Sequence, residues 1–288
     1  MIERRGALSA GGCEKACESI TSHGTERPVL FIVFGHQRTG STLLASRLNS
    51  HPRIRCHEEV FLPSVDSSPS VKEWLDVRGL PQWLRVVPSV RTSFLTSLFD
   101  VKNISGDIGA IGFKVMYNQL SLWPKFAYLM PGATQLLQDP ALRKWLRENE
   151  VLIVHTLRQN HLKILVSHEL AAQSGRFHSR SASVGDRKIV ISLRSLKPRL
   201  RRIQLAERAA RNTIKGLPTI EILYESYTGA GGARDDARLC DALGQSVPAG
   251  GLTSPLRKIS SDNLRDTIAN YEQVAAHLSG TRFERFLV

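Results

Sequence analysis

Val29-Leu30-Phe31-Ile32-Val33-Phe34 leads through Gly35-His36-Gln37-Arg38-Thr39-Gly40 into Ser41-Thr42-Leu43-Leu44-Ala45-Ser46-Arg47-Leu48. The order of these three pieces decides the fold. The first is an unbroken apolar run of β-branched and aromatic residues, the pattern of a strand buried on both faces of a parallel sheet. In the third, Leu44 and Leu48 stand four apart with Leu43 beside them, as on the apolar stripe of a helix. Strand, glycine-bearing turn and helix together open an α/β nucleotide-binding unit.

The turn has the Gly-x4-Gly spacing of a phosphate-binding loop, with Ser41 where the loop lysine would stand. Its glycines let backbone N–H groups converge on an anion, and the helix N-terminus adds partial positive charge. Arg38 can supply the cation missing at position 41, and Ser41 and Thr42 supply hydroxyls. Transfer of a terminal phosphoryl group draws on the lysine and Mg²⁺ to offset the phosphate charge. Val151-Leu152-Ile153-Val154 runs into His155 and Thr156 with no acidic residue that could hold Mg²⁺. A sulfuryl group carries less charge and needs fewer cations.

Outward from this unit, strands and helices alternate. Arg53–Cys56, Ala110–Met116, Val151–Val154 and Thr219–Tyr224 read as strands. Pro140–Glu148, His161–Gln173 and the basic stretch Leu196–Ile214 read as helices. Residues 63–107 read as a loop-rich insertion, Ser174–Lys188 as a mobile polar loop, and 262–276 as a last helix capped by Asp262. The expected fold is α/β, P-loop-like and three-layered, with a mostly parallel central sheet flanked by helices. Residues 1–27, small and polar, read as a flexible arm before one domain over 28–288.

Composition narrows the class. At 288 residues, 42% hydrophobic and 23% charged, the chain is that of a soluble globular protein and excludes collagen-like, coiled-coil and disordered readings. Met1–Gly24 lacks an apolar signal core, and Val29–Phe34 is too short to span a bilayer, so a cytoplasmic location is expected. Cys13, Cys17, Cys56 and Cys240 match no zinc spacing, and no metal is expected. Lys and Arg total 39 against 26 Asp and Glu, a net charge of +13. Between positions 141 and 216 there are 17 basic and 5 acidic residues, a field that recruits anions.

Pro28 to Leu44, continuing to Leu48-Asn49-Ser50-His51-Pro52, resembles the start of sulfotransferases that use 3′-phosphoadenosine 5′-phosphosulfate (PAPS). It is similar in particular to bacterial carbohydrate sulfotransferases acting on trehalose and Nod-factor oligosaccharides. Further segments carry the likeness: Cys56-His57-Glu58-Glu59-Val60-Phe61, Gly112-Phe113-Lys114-Val115-Met116-Tyr117 and Leu157-Arg158 with Ser167. Leu223-Tyr224-Glu225 and Ser254-Pro255-Leu256-Arg257-Lys258-Ile259 complete it. The commoner Pro-Arg-Ser-Gly-Thr-Thr wording of the turn is replaced by Gln37-Arg38-Thr39-Gly40-Ser41-Thr42, which keeps the guanidinium and the hydroxyls.

The resemblance implies that residues 35–42 hold the 5′-phosphosulfate of PAPS. It implies that Arg158 and Ser167 bind the 3′-phosphate, and that Arg257 and Lys258 close over the adenosine. An acceptor hydroxyl must lose a proton as it attacks sulfur, so a general base is required. The resemblance favours Glu59, with Glu58 and His57 as rivals. Consecutive residues on an extended segment point oppositely, so at most one of the two carboxylates is expected in the cleft. Lys114 is a candidate to stabilise charge on the bridging oxygen.

Glu225 reads as structural, paired with a nearby base, and His155 as a satisfied core histidine. Arg176 and His178 are weaker candidates for the acceptor site, and Trp74, Trp83 and Phe177 read as packed rather than as ring platforms. The acceptor is expected to be a small molecule bearing a hydroxyl, a carbohydrate or glycosylated metabolite, and homo-oligomers are compatible with the sequence. Two other classes compete. A P-loop kinase or nucleotide hydrolase would need ATP and Mg²⁺. A non-catalytic polyanion binder would use the basic helix with Arg199, Arg201, Arg202, Arg208 and Arg211. The chain carries no recognisable nucleic-acid motif, so nucleic acid is not an expected partner.

Overall fold

The computed structural model describes residues 27–61, 70–82, 84, 87–100, 107–117, 140–174, 188–256 and 263–288. Cys13, Cys17, Trp83, Arg176, Phe177, His178, Arg257, Lys258 and Asp262, singled out from the sequence, lie outside the described residues.

Five strands form one parallel sheet: β1 (Val29–Gly35), β2 (Ile54–His57), β3 (Ala110–Met116), β4 (Leu152–Leu157) and β5 (Thr219–Leu223). Their spatial order is β2-β3-β1-β4-β5. From β1 the chain crosses to the edge strand β2 and returns through β3 to the flank of β1, and then builds on the other side through β4 and β5. The switch falls at β1, and the crevice beyond the carboxyl ends at such a point is where open α/β sheets bind ligands.

β1 is covered on both faces, as its apolar run requires. Leu30, Ile32 and Phe34 pack with Ile111, Phe113, Val115 and Ile153. That layer is closed by α2 (Val71–Val77), α3 (Pro88–Leu98), α4 (Pro140–Glu148) and the end of α6 (Leu193–Ile214). Phe31 and Val33 face the opposite side, against α1 (Ser41–Leu48) and α8 (Gly232–Ala242) through Leu44, Leu48, Leu239 and Cys240. A third apolar cluster joins α5 (His161–Ser174) to α6, α9 (Leu264–Thr267) and α10 (Tyr271–Leu278). The short turn of helix α7 (Tyr224–Tyr227) follows β5 directly.

The α/β expectation holds, with corrections in detail. The insertion 63–107 contains α2 and α3 rather than loop alone; Ser70 caps α2 by accepting from Glu73 N–H at 3.2 Å. The strand read at Arg53–Cys56 runs one residue later, β4 reaches Leu157, and the basic helix starts at Leu193. Helix α8 was not apparent from the sequence. The single helix expected over 262–276 is two helices, α9 and α10. Between them Ile268 is extended and bridges Ile189 in parallel, and Asn270 bonds both the N–H and the C=O of Ile191 at 2.9 Å. Those tertiary pairings outcompete the helical ladder at that point. Cys56 and Cys240 are buried free thiols.

Candidate active site

The turn after β1 is held in a conformation that few residues adopt. Arg38 and Gly40 both have positive φ, 68° and 89°. Thr39 Oγ1 donates to the His36 carbonyl at 2.7 Å and lies 2.9 Å from Thr156 Oγ1 of β4, which pins the turn to the sheet. A Cβ built on Gly40 would come 2.5 Å from the Tyr224 ring. Glycine is therefore demanded twice here, by φ and by the ring. Gly40→Ala is expected to lower unfolding stability by about 2–4 kcal/mol, from left-handed strain plus overpacking; a urea unfolding midpoint equal to wild type would contradict this.

The N–H groups of the first turn of α1, which starts at Ser41 beyond the carboxyl end of β1, have no intrahelical acceptor. Ser41 is buried and its hydroxyl donates to Met116 Sδ at 3.6 Å. Thr42 Oγ1 accepts from Lys114 Nζ at 3.0 Å. Gln37 is half-buried, and its carbonyl accepts from His36 Nδ1 at 2.8 Å. Burial holds the His36 pKa down, so the ring is neutral near pH 7.

Two arginines meet beside the turn. Arg38 Nε donates to Ser167 Oγ on α5 at 2.9 Å, and Arg158 Nη1 donates to the Arg38 carbonyl at 3.3 Å. The Arg158 guanidinium stacks on the Tyr224 ring at 4.4 Å, so one aromatic ring supports both Gly40 and Arg158. Arg158 is only 6% exposed, and its Nε is buried without a hydrogen-bond partner. Burial lowers the pKa of both arginines, and the Arg158 charge lowers that of Arg38 further. Two desolvated like charges of this kind are relieved by an anion.

Glu225 holds the loop that carries Arg158. Its carboxylate accepts from the backbone N–H groups of Gln159 and Asn160, both at 3.1 Å. The residue is structural, as expected, but through two peptide N–H groups rather than a basic side chain. Tyr224 itself was not singled out as a site residue; the signal available was its place beside Glu225, directly after a strand.

On the other side of the turn lies a cation with two carboxylates. Lys114, fully buried, forms an ion pair with Glu58, and its Nζ is 3.9 Å from Glu59 Oε1. Both carboxylates reach the same ammonium, where strand alternation would send them to opposite sides. β2 ends at His57, so strand alternation no longer governs residues 58 and 59. The Lys114 N–H donates to the Glu58 carbonyl at 3.3 Å, which draws the segment over the ammonium.

His57 closes β2, just before the two carboxylates. It shares a groove of about 380 Å³ with Arg55, Glu73, Trp74 and Arg78. Cys56, its neighbour, points to the opposite face with α1. Trp74 is packed, as expected: Arg78 lies over its ring at 4.1 Å and Phe94 meets it edge-on at 6.0 Å.

Behind the turn runs a polar network that the sequence did not disclose. Tyr117 Oη bonds His155 Nε2, and His155 Nδ1 lies 3.3 Å from Glu221 Oε1. Arg211 links Glu221 at 2.9 Å to Glu207 at 3.1 Å, and Glu207 reaches His161 Nε2 at 3.1 Å. His155 is thus a satisfied core histidine, with its pKa lowered by burial against the opposing pull of Glu221.

No helix among the described residues is long and apolar enough to cross a membrane. No protein of curated function matches the chain. Similar solved structures include a sulfotransferase from Alicyclobacillus acidocaldarius, at 16% identity over 91% of this chain and 96% of that one, with a TM-score of 0.44. The sulfotransferase domain from the Synechococcus PCC 7002 olefin synthase aligns at 16% identity over 85% of this chain and 82% of its own, with a TM-score of 0.37. In sequence, residues 30–273 match the family described as Stf0 sulphotransferase. That span takes in the 35–42 turn, both carboxylates, Lys114, Arg158, Ser167 and Tyr224, and the chain belongs to the Stf0 sulphotransferase family of enzymes.

Proposed function

We propose that this sulfotransferase moves a sulfuryl group from PAPS to a hydroxyl of a small-molecule acceptor, a carbohydrate or glycosylated metabolite. The observation that carries the reading is the continuous set of donors from the turn through Arg38 and Ser167 to Arg158. The buried Arg158 Nε without a partner fits a phosphate oxygen, and a helical hydroxyl beside a guanidinium is a charge-assisted phosphate seat.

In this reading the turn N–H groups, Arg38 and Thr42 hold the 5′-phosphosulfate, and Arg158 with Ser167 holds the 3′-phosphate. Arg257 and Lys258 are proposed to close over the adenosine. Glu59 takes the proton from the acceptor hydroxyl as its oxygen bonds to sulfur. The bond from sulfur to the bridging phosphate oxygen breaks, and Lys114 and Arg38 stabilise the charge that collects there. Preorganised donors of this kind are usually the largest catalytic contribution.

Calorimetric titration with 3′-phosphoadenosine 5′-phosphate (PAP) tests the donor site, with ADP and ATP plus Mg²⁺ as controls. PAP is expected to bind without metal and more tightly than ADP by about tenfold or more, the worth of a charge-assisted phosphate contact. Tighter binding of ATP with Mg²⁺ would return the turn to kinase chemistry.

A further inference from the structure

Helix α6 has 22 residues and carries one acidic side chain, Glu207, which is turned inward to His161 and Arg211. Its buried stripe is Leu196, Leu200, Ile203, Ala210, Thr213 and Ile214. The opposite face is exposed and basic. Arg194, Arg201, Leu205, Arg208 and Asn212 recur every three, four or seven residues along it, which places them on one side of the helix. Arg202 and Lys215, also exposed, widen the same face.

Two of the arginines that the sequence marked as polyanion contacts are engaged within the fold. Arg199 pairs with Glu169, and Arg211 pairs with Glu207 and Glu221. Arg194, Arg201, Arg202 and Arg208 form no ion pair with a described residue. The result is a row of guanidiniums spanning about 21 Å, from Arg194 to Arg208, with no ion-pair partner among the described residues. Leu205, 46% exposed, stands in its middle.

We propose that this face of α6 docks the enzyme on an anionic lipid bilayer. A bilayer surface is broad, and the exposed side of one helix can lie along it so that the four guanidiniums meet headgroups together. Leu205 would enter the interfacial zone between the flanking arginines, which a purely electrostatic partner does not use. The face has no aromatic side chain on which bases could stack, the feature that single-stranded nucleic acid binding relies on. This inference does not depend on the identity of the sulfuryl donor or acceptor.

Co-sedimentation of the full chain with phosphatidylcholine vesicles, with and without about 30% phosphatidylserine, tests it. The protein is expected to pellet with the anionic vesicles at least about tenfold more than with the neutral ones, and to be released by about 0.5 M salt. Arg201→Glu with Arg208→Glu is expected to abolish pelleting, and Leu205→Ser to weaken it. Arg201→Gln with Arg208→Gln serves as the milder pair, and a thermal melt confirms that each variant is folded. Equal pelleting with both vesicle types, or anionic pelleting unchanged in folded variants, overturns the proposal. So does binding to single-stranded RNA by a protein that leaves anionic vesicles untouched.

Discussion

Replacement of Glu59 by Gln is expected to lower kcat by about 10²–10⁴, the usual worth of a general base, while PAP affinity is unchanged. The substitution keeps the shape of the side chain and removes its capacity to accept a proton at neutral pH. The readout is PAP release with an acceptor that the wild-type enzyme sulfates, set beside a calorimetric titration of the variant. Wild-type turnover in a folded Glu59→Gln variant would remove Glu59 from the mechanism.

The rival carboxylate gives a different signature. Glu58 is the direct ion-pair partner of Lys114, whose ammonium is fully buried and also donates to Thr42. A carboxylate so engaged is tied to its cation rather than turned to an acceptor hydroxyl. Removing it leaves a buried ammonium with a weakened partner set, which costs about 2 kcal/mol or more. Glu58→Gln is therefore expected to reduce stability and loosen the turn at Thr42, so that affinity for PAP and kcat fall together. Loss of kcat alone at 58 with none at 59 would exchange their roles. His57, the remaining rival, lines the groove with Arg55 and Trp74.

These contrasts also show what the sequence could and could not disclose. The opening strand, turn and helix were legible because their signals are local: an unbroken apolar run, two glycines at a fixed spacing, leucines four apart. Lys114 and Arg158 were legible as residues near the carboxyl ends of strands, where the fold puts ligands. Their partners were not. Nothing in the order of residues says that one tyrosine ring sits under Gly40 and under Arg158, since 184 and 66 positions separate it from them. The pairing of the two carboxylates was not legible, because β2 ends at His57 and strand alternation does not extend to Glu58 and Glu59. The break between α9 and α10 was not legible for a related reason. The partners that favour it, at Ile189–Ile191, lie about 80 positions upstream.

The second large effect is expected at Arg158. Its guanidinium is 6% exposed, stacked on Tyr224, and aimed by a loop that Glu225 holds through two peptide N–H groups. Arg158→Ala is expected to weaken PAP by about 30–100-fold, the loss of one charge-assisted phosphate contact in a poorly solvated setting. ADP, which lacks the 3′-phosphate, should bind the variant as it binds wild type. Arg158→Lys should recover little, because an ammonium neither stacks on the ring nor offers two parallel N–H donors. The alternative role for Arg158 is support of the turn through the Arg38 carbonyl, 3.3 Å away. In that case the turn itself would be disturbed, PAP and ADP would lose affinity by the same factor, and the 3′-phosphate would have to be sought elsewhere. Equal and unequal losses are separable in one pair of titrations, and they assign the residue either to the nucleotide or to the loop that receives it.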